Sequence, residues 1–207
     1  SPKARGFERS FALLAGGAGH FSNMMSILGS KKAPYRNDDV LIDSLPEDFY
    51  STEFYTNKLI EYIDSNHQDE KPFFAYLAYT APHWPLQAPI KSIEKHMGNY
   101  DDGYEVLYEN RMTKLKSLNL LEHEIVNSQP LLEDKPWNSL NDEEKKRSSK
   151  LMEIYAAMVS DLDQYIGNTP ENNTYKLLKN NVNSTTLYIP LFFWFCNNSG
   201  SSLPLLC

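Results

Sequence analysis

The sequence predicts a mixed α/β domain organised round a parallel sheet. Three observations lead there. Residues 73–79, FFAYLAY, are apolar or aromatic throughout, the pattern of a strand buried on both faces. A helical pattern over residues 51–65 runs into that strand, and helix followed by buried strand is half of a βαβ unit. A chain of 207 residues with 41% hydrophobic content suits one domain with a sizeable core.

Taken in order, residues 1–36 read as loop, and Gly16-Gly17-Ala18-Gly19 within them as a tight surface loop. The glycine run lacks the Lys-Ser/Thr ending of a phosphate-binding loop and the strand–turn–helix setting of a dinucleotide fingerprint. Residues 37–48 form a short strand-like piece and a turn. Asp38-Asp39 there read as solvated acids rather than a metal pair. The helix over 51–65 has Ser51 as N-cap and Glu53 in its first turn, where a negative charge favours the helix dipole. Residues 90–97 read as a short helical turn with an exposed His96, and 104–121 as an amphipathic helix through Val106, Leu107, Met112, Leu115 and Leu118. His67 and His123 sit in connecting loops without partners in view. The strongest helix spans 141–166, capped at Asn141 or Asp142 and ended by Gly167.

Composition narrows the function. A net charge of −7, a pI near 5.2 and no Lys/Arg block give nucleic-acid binding little support. The longest apolar run, residues 187–196, is ten residues with Pro190 inside, too short to span a bilayer. Cys196 and Cys207 make neither a disulfide framework nor a zinc pattern. The polar, basic start without Met shows no signal peptide and reads as a chain that begins within a longer sequence or after processing. Asn172, Asn183 and Asn197 each begin a glycosylation acceptor pattern, weak support for secretion. Location and oligomeric state stay unread.

Chemistry points to the end of the strand. The apolar run stops at Thr80, and Pro82, Pro85 and Pro89 then forbid regular structure. Inside this rigid loop sits His83, followed by Trp84. Ligands of open α/β sheets bind beyond the carboxyl ends of the strands. A histidine beside Trp and Pro also suits plain surface packing, so pattern alone leaves both readings open.

The residues themselves carry more. PFFAYLAYTAPHWPLQAP resembles the arylsulfatase branch of the sulfatase family, in which a strand ends in T-A-P-H-x-P-L-Q-A-P. RGFERSFALLAGGAGHF resembles the family stretch R-G-F-x-R-S-F-x-L-L-x-G-x-x-x-H-[FY], which lies near the active-site face. LMEIYAAMVSDLDQYIGN resembles its helix M-E-x-Y-A-A-M-V-x-x-x-D-x-x-I-G, in which Glu153 and Asp163 are expected to anchor structure. The resemblance covers about residues 5–168. It implies a partial catalytic domain over residues 1–168, and a divergent tail over 169–207 for which an altered reading frame or a retained intron is one explanation.

The implied fold is a three-layer α/β/α sheet of the alkaline-phosphatase-like kind, incomplete here, with exposed edges and apolar surface. The implied activity is hydrolysis of sulfate esters, so the implied partner is a sulfate-ester small molecule, with no nucleic acid and no membrane. The family nucleophile is a formylglycine made from the cysteine of C-x-P-x-R, and a divalent cation, usually calcium, polarises the sulfate; this is covalent catalysis with electrostatic stabilisation. His83 matches the histidine that contacts the sulfate and assists the leaving oxygen, catalytic and substrate-binding at once. Imidazole suits both tasks because it titrates near neutrality. Asn197 and Asn198 fall on the Asp-Asn metal ligands of the family S-D-N-G, with Pro190 weakening the strand before them and Ser199 in place of the glycine. The C-x-P-x-R motif, the Asp-Asp metal pair and a G-K-W-H-L-G element have no counterpart in the sequence. The expectation is a sulfuric ester hydrolase in the complete protein that is inactive as this chain. The alternatives are a non-catalytic or degraded sulfatase remnant, or a phosphoester or phosphonate hydrolase of the same superfamily.

Overall fold

Two short sheets and one long helix organise the structure, a computed structural model that describes residues 1–14, 16–27, 32–66, 73–121, 135–167 and 186–188. The first sheet is an antiparallel meander of β1 (Phe11–Leu13), β2 (Tyr35–Asn37) and β3 (Val40–Ile42). Phe11 faces Asn37, and Asn37 faces Val40. The hairpin turn is made by Asp38, held at φ 52. Its carboxylate accepts the Ser10 N–H at 2.7 Å and the Arg9 Nε–H at 3.2 Å. Those contacts, the Ser10 N–H foremost, hold the Asp38 carboxyl below the usual carboxylate range.

Helix α1 (Ser51–Asn66) packs its aromatic face on this meander. Tyr35, Phe49 and Tyr55 are buried, and Phe11 and Phe54 close the cluster. The Phe11–Phe54 and Phe49–Phe54 ring centroids lie 4.8 and 4.9 Å apart, tilted as aromatic pairs prefer. Each such side chain contributes about 1.5–3 kcal/mol when fully removed from water. The expected N-cap role of Ser51 does not hold: Ser51 is the first helical residue, and its hydroxyl is drawn to another partner described below.

The second sheet pairs β4 (Phe74–Tyr76) in parallel with β5 (Thr186–Tyr188), Phe74 facing Thr186. The parallel pair, reached by a helical crossover, is the α/β signature. The central run is not buried on both faces, however. Ala75, Leu77 and Tyr79 are buried, while Phe74 and Tyr76 are 57% and 42% exposed. The buried face rests on the α1 core. On the other face the Phe7 ring lies 5.9 Å from that of Phe74. The exposed apolar surface expected of a partial sheet is therefore present.

After β4 come α2 (Ile90–Glu94), α3 (Tyr104–Ser117) and α4 (Asp142–Gly167). The Asn141 side chain accepts the Glu144 N–H and the Glu144 carboxylate accepts the Asn141 N–H, both at 2.9 Å, a reciprocal capping box. Buried Ser149, Glu153, Ala157, Met158, Asp161 and Leu162 recur at three and four residues along the inner face of α4. Burial alone would raise the Glu153 carboxyl; the Gly98 N–H at 2.8 Å, with Lys150 and His96, outweighs it and holds the group below its usual range. Glu153 thus anchors the turn after α2. Asp163 does not anchor anything among the described residues: it is exposed, two residues round from Asp161, which is buried and accepts the Ser92 hydroxyl at 2.7 Å. His96 is half-buried rather than exposed, with Nε2 3.0 Å from the Ser160 hydroxyl. No residue of α3 is fully buried: Leu107, Met112 and Leu115 of its apolar stripe are half-buried, and Val106 is exposed.

Candidate functional site

The chain leaves β4 through Leu77 and Tyr79 and turns at Thr80. Tyr79 is buried and shares a 2.6 Å hydrogen bond with the Thr56 hydroxyl of α1. The His83 N–H donates to the Thr80 carbonyl at 3.0 Å, and the Ala81–Pro82 and Trp84–Pro85 peptides are cis. Ala81 and Ala88 pack against Ala157 and Met158 of α4, flanked by Leu86, Ile93 and Ile154. Small residues on both sides let the proline-rich loop lie close to the helix. The Gln87 N–H also meets the Met158 sulfur at 3.3 Å.

The other wall of the site is the glycine run. It is not the surface loop that composition suggests: residues 17–20 are buried. Close approach is the reason. A Cβ on Gly17 would lie 2.7 Å from Ile27 Cδ1 and 3.8 Å from His83 Nδ1; one on Gly19 would lie 3.0 Å from Met25 Cβ and 3.3 Å from Gln87 Oε1.

Where these walls and the start of α1 meet sits His20, with 0% exposure. Its N–H donates to Gln87 Oε1 at 2.8 Å. Its Nδ1 lies 2.8 Å from Ser51 Oγ and 3.4 Å from Thr80 Oγ1, and its Nε2 lies 3.1 Å from the His83 carbonyl oxygen. Desolvation by burial pushes the ring below its usual 6.5, with the nearby His83 adding to the effect and the His83 carbonyl opposing it. The ring is therefore neutral at pH 7, and its tautomer follows from its partners. A carbonyl only accepts, so Nε2 carries the proton and donates to His83. Nδ1 then accepts from the Ser51 hydroxyl, whose oxygen accepts the Thr80 hydroxyl at 3.4 Å.

His83 is half-buried, beside a Trp84 that is 52% exposed. Its Nδ1 lies 2.6 Å from the Trp84 carbonyl oxygen. The same rule fixes this ring: Nδ1–H donates to Trp84, and Nε2 is the ring nitrogen that remains. Among the described residues nothing bonds to Nε2. The geometry can present one imidazole nitrogen to an incoming ligand from a backbone held on three sides.

A sulfatase family model matches residues 3–187. The chain belongs to the sulfatase family. An arylsulfatase of Klebsiella aerogenes is 40% identical over 174 residues, covering 83% of this chain and 37% of that protein. An uncharacterized sulfatase of Schizosaccharomyces pombe is 39% identical over 174 residues, covering 80% of this chain and 31% of that protein. The crystal structure of Ps i-CgsB shares the fold, with a TM-score of 0.51 at 20% identity over 91% of this chain and 33% of that one. The architecture is thus the alkaline-phosphatase-like α/β fold with a partial sheet, and the chain spans about a third of the length of the relatives it matches.

Of the residues the sequence singles out in this sulfatase, His83 lies in the proline-rich loop that follows β4. Asn197 and Asn198 lie outside the described residues, as do His67 and His123. Among the described residues no group of three or more His, Cys, Asp or Glu could hold a metal ion. Asn197 and Asn198 would offer only amide oxygens where a hard dication prefers carboxylates. Among the described residues no set of side chains fits a dication site, and no step proposed below runs through one. No helix among the described residues is long and apolar enough to cross a membrane. Sequence reasoning missed His20. Its signal was the glycine run placed directly before a histidine, since close-packed glycines bring the next side chain into the interior.

Proposed function

We propose that this chain forms the part of a sulfatase catalytic domain that meets the sulfate group, and that His83 is the residue that meets it. The complete protein is a sulfuric ester hydrolase acting on sulfate-ester small molecules. Family membership and the arylsulfatase relative support the reaction class. One observation carries the residue: in the loop that follows β4, His83 keeps Nδ1–H on the Trp84 carbonyl, and among the described residues nothing bonds to Nε2. A protonated ring keeps the Trp84 bond and directs Nε2–H at an anionic sulfate oxygen or at the leaving oxygen, a charge-assisted hydrogen bond. The formylglycine nucleophile requires a cysteine in C-x-P-x-R, and Cys196 and Cys207 do not stand in that motif. The chain by itself therefore binds the anion without turning over an ester.

The test is a titration of the chain with inorganic sulfate and, in parallel, inorganic phosphate, following the His83 ring by nitrogen-15 NMR, together with an aryl sulfate assay. Saturable movement of the His83 Nε2 resonance with sulfate, lost in His83→Ala, and no aryl sulfate turnover are expected. Turnover that His83→Ala abolishes would overturn the inactivity of the chain. Movement with phosphate alone would favour a phosphoester or phosphonate hydrolase. No movement with either anion would leave a non-catalytic remnant.

A further inference from the structure

We propose that His20 is a positioning residue for His83, which it aims through the backbone without touching the ligand. The inference rests on the assignment of His83 to the sulfate group. Two consecutive carbonyls decide where the His83 ring points. The His83 carbonyl accepts His20 Nε2–H at 3.1 Å, and the Trp84 carbonyl accepts the His83 Nδ1–H at 2.6 Å. The first bond fixes the orientation of the peptide between residues 83 and 84. That orientation sets where the next carbonyl can lie, and so whether it can capture Nδ1. With Nδ1 captured, Nε2 alone remains for an anionic oxoester. A loop of prolines is stiff along its length but has few N–H groups of its own to hold its carbonyls; a buried donor from another segment supplies that hold.

His20 is itself held from three directions. Its N–H is on Gln87, further along the same loop, and Nδ1 is on Ser51 at the start of α1. Gly17 and Gly19 permit the approach, with a Cβ on Gly17 reaching to 3.8 Å from His83 Nδ1. The ring is 0% exposed, so no ligand reaches it. A buried, neutral imidazole with both nitrogens committed is suited to orienting a neighbour and unsuited to proton transfer with solvent. Ser51, Thr80, His20 and His83 thus form one directed chain of hydrogen bonds ending at the site.

The test compares the unaltered chain with two variants. The carboxamide of His20→Gln reaches the Nε2 position and keeps a donor for the His83 carbonyl. That of His20→Asn reaches only the Nδ1 position and keeps Ser51 but loses the donor. Nitrogen-15 NMR of the ligand-free proteins reads the tautomer of His83 directly. The expected result is a single Nδ1–H tautomer in the unaltered chain and in His20→Gln, and a mixture of tautomers in His20→Asn. Sulfate affinity should fall about tenfold in His20→Asn and recover in His20→Gln, the scale of one hydrogen bond to a charged group. A folded His20→Asn that keeps the single tautomer overturns the proposal, because a merely structural role would leave the tautomer alone. Should His20→Asn not fold, the scalar coupling across the hydrogen bond from His20 Nε2 to the His83 carbonyl decides in the unaltered protein, and its absence overturns the proposal. If sulfate never moves His83 in the unaltered chain, the assignment of His83 fails instead, and the ligand-free tautomer comparison still decides what His20 does.

Discussion

Removing the hydroxyl of Ser51 should cost more than a surface serine would, and by an amount that Thr80 controls. Ser51 is 1% exposed and His20 is 0% exposed, so no water replaces the lost donor at Nδ1. A buried acceptor left without a partner costs about 1–3 kcal/mol. Thr80 Oγ1 already lies 3.4 Å from Nδ1 and loses its bond to Ser51 in Ser51→Ala, so its hydroxyl can turn to the imidazole. That recovery holds the single variant to about 1–2 kcal/mol. Thr80→Val alone removes contacts near the long limit for a hydrogen bond and should cost under about 0.5 kcal/mol. The pair Ser51→Ala with Thr80→Val strands Nδ1 and should cost about 2–3 kcal/mol, exceeding the sum by about 1 kcal/mol. Urea denaturation at pH 7.5, with His20 neutral, measures each term. Additive costs, or a loss under about 0.5 kcal/mol for Ser51→Ala, would refute the directed chain of hydrogen bonds.

Two further outcomes follow from local geometry and burial. Gly103 stands at φ 91 with the Trp137 indole where a Cβ would be, so Gly103→Ala should lose about 2–5 kcal/mol from backbone strain and overpacking together. Gly98→Ala, at φ 77 with its nearest neighbour 3.8 Å away, carries the backbone strain alone; urea midpoints should differ between the two by the clash, and equal losses would show that the indole yields freely. Stability should also fall on acidification in two windows. His20 is held below its usual 6.5, so the unfolded chain binds more protons; stability is full above that value and is lost as pH falls through it toward the folded value. Glu153 is held below its usual 4.5, so its contribution is present above that value and lost as pH falls through the folded one. Urea midpoints measured from pH 7.5 to 4 should show the first window disappear in His20→Gln, and a window that persists there would refute its assignment to His20.

How much of this was legible in the sequence depends on whether a residue's fate is set by its neighbours in the chain or by distant segments. Residues 141–167 were legible nearly to the residue, because Asn141 and Glu144 cap each other locally and the inner face repeats at helical spacing. The strand before His83 was legible in part: the apolar run to Tyr79 marks it, but β4 itself ends at Tyr76. The solvent face of β4 was not, since FFAYLAY looks the same whether or not a second layer covers Phe74 and Tyr76. Ser51 reads as a cap by local rules, but its hydroxyl goes to a ring 31 positions earlier in the chain. Asp161 and Asp163 are chemically identical, and only the rotation of α4 against α2 separates the buried one from the exposed one. His20 is the extreme case. Its partners lie at 51, 80, 83 and 87, and nothing within the glycine run names any of them. A residue whose partners lie in three other segments shows itself only when those segments are joined.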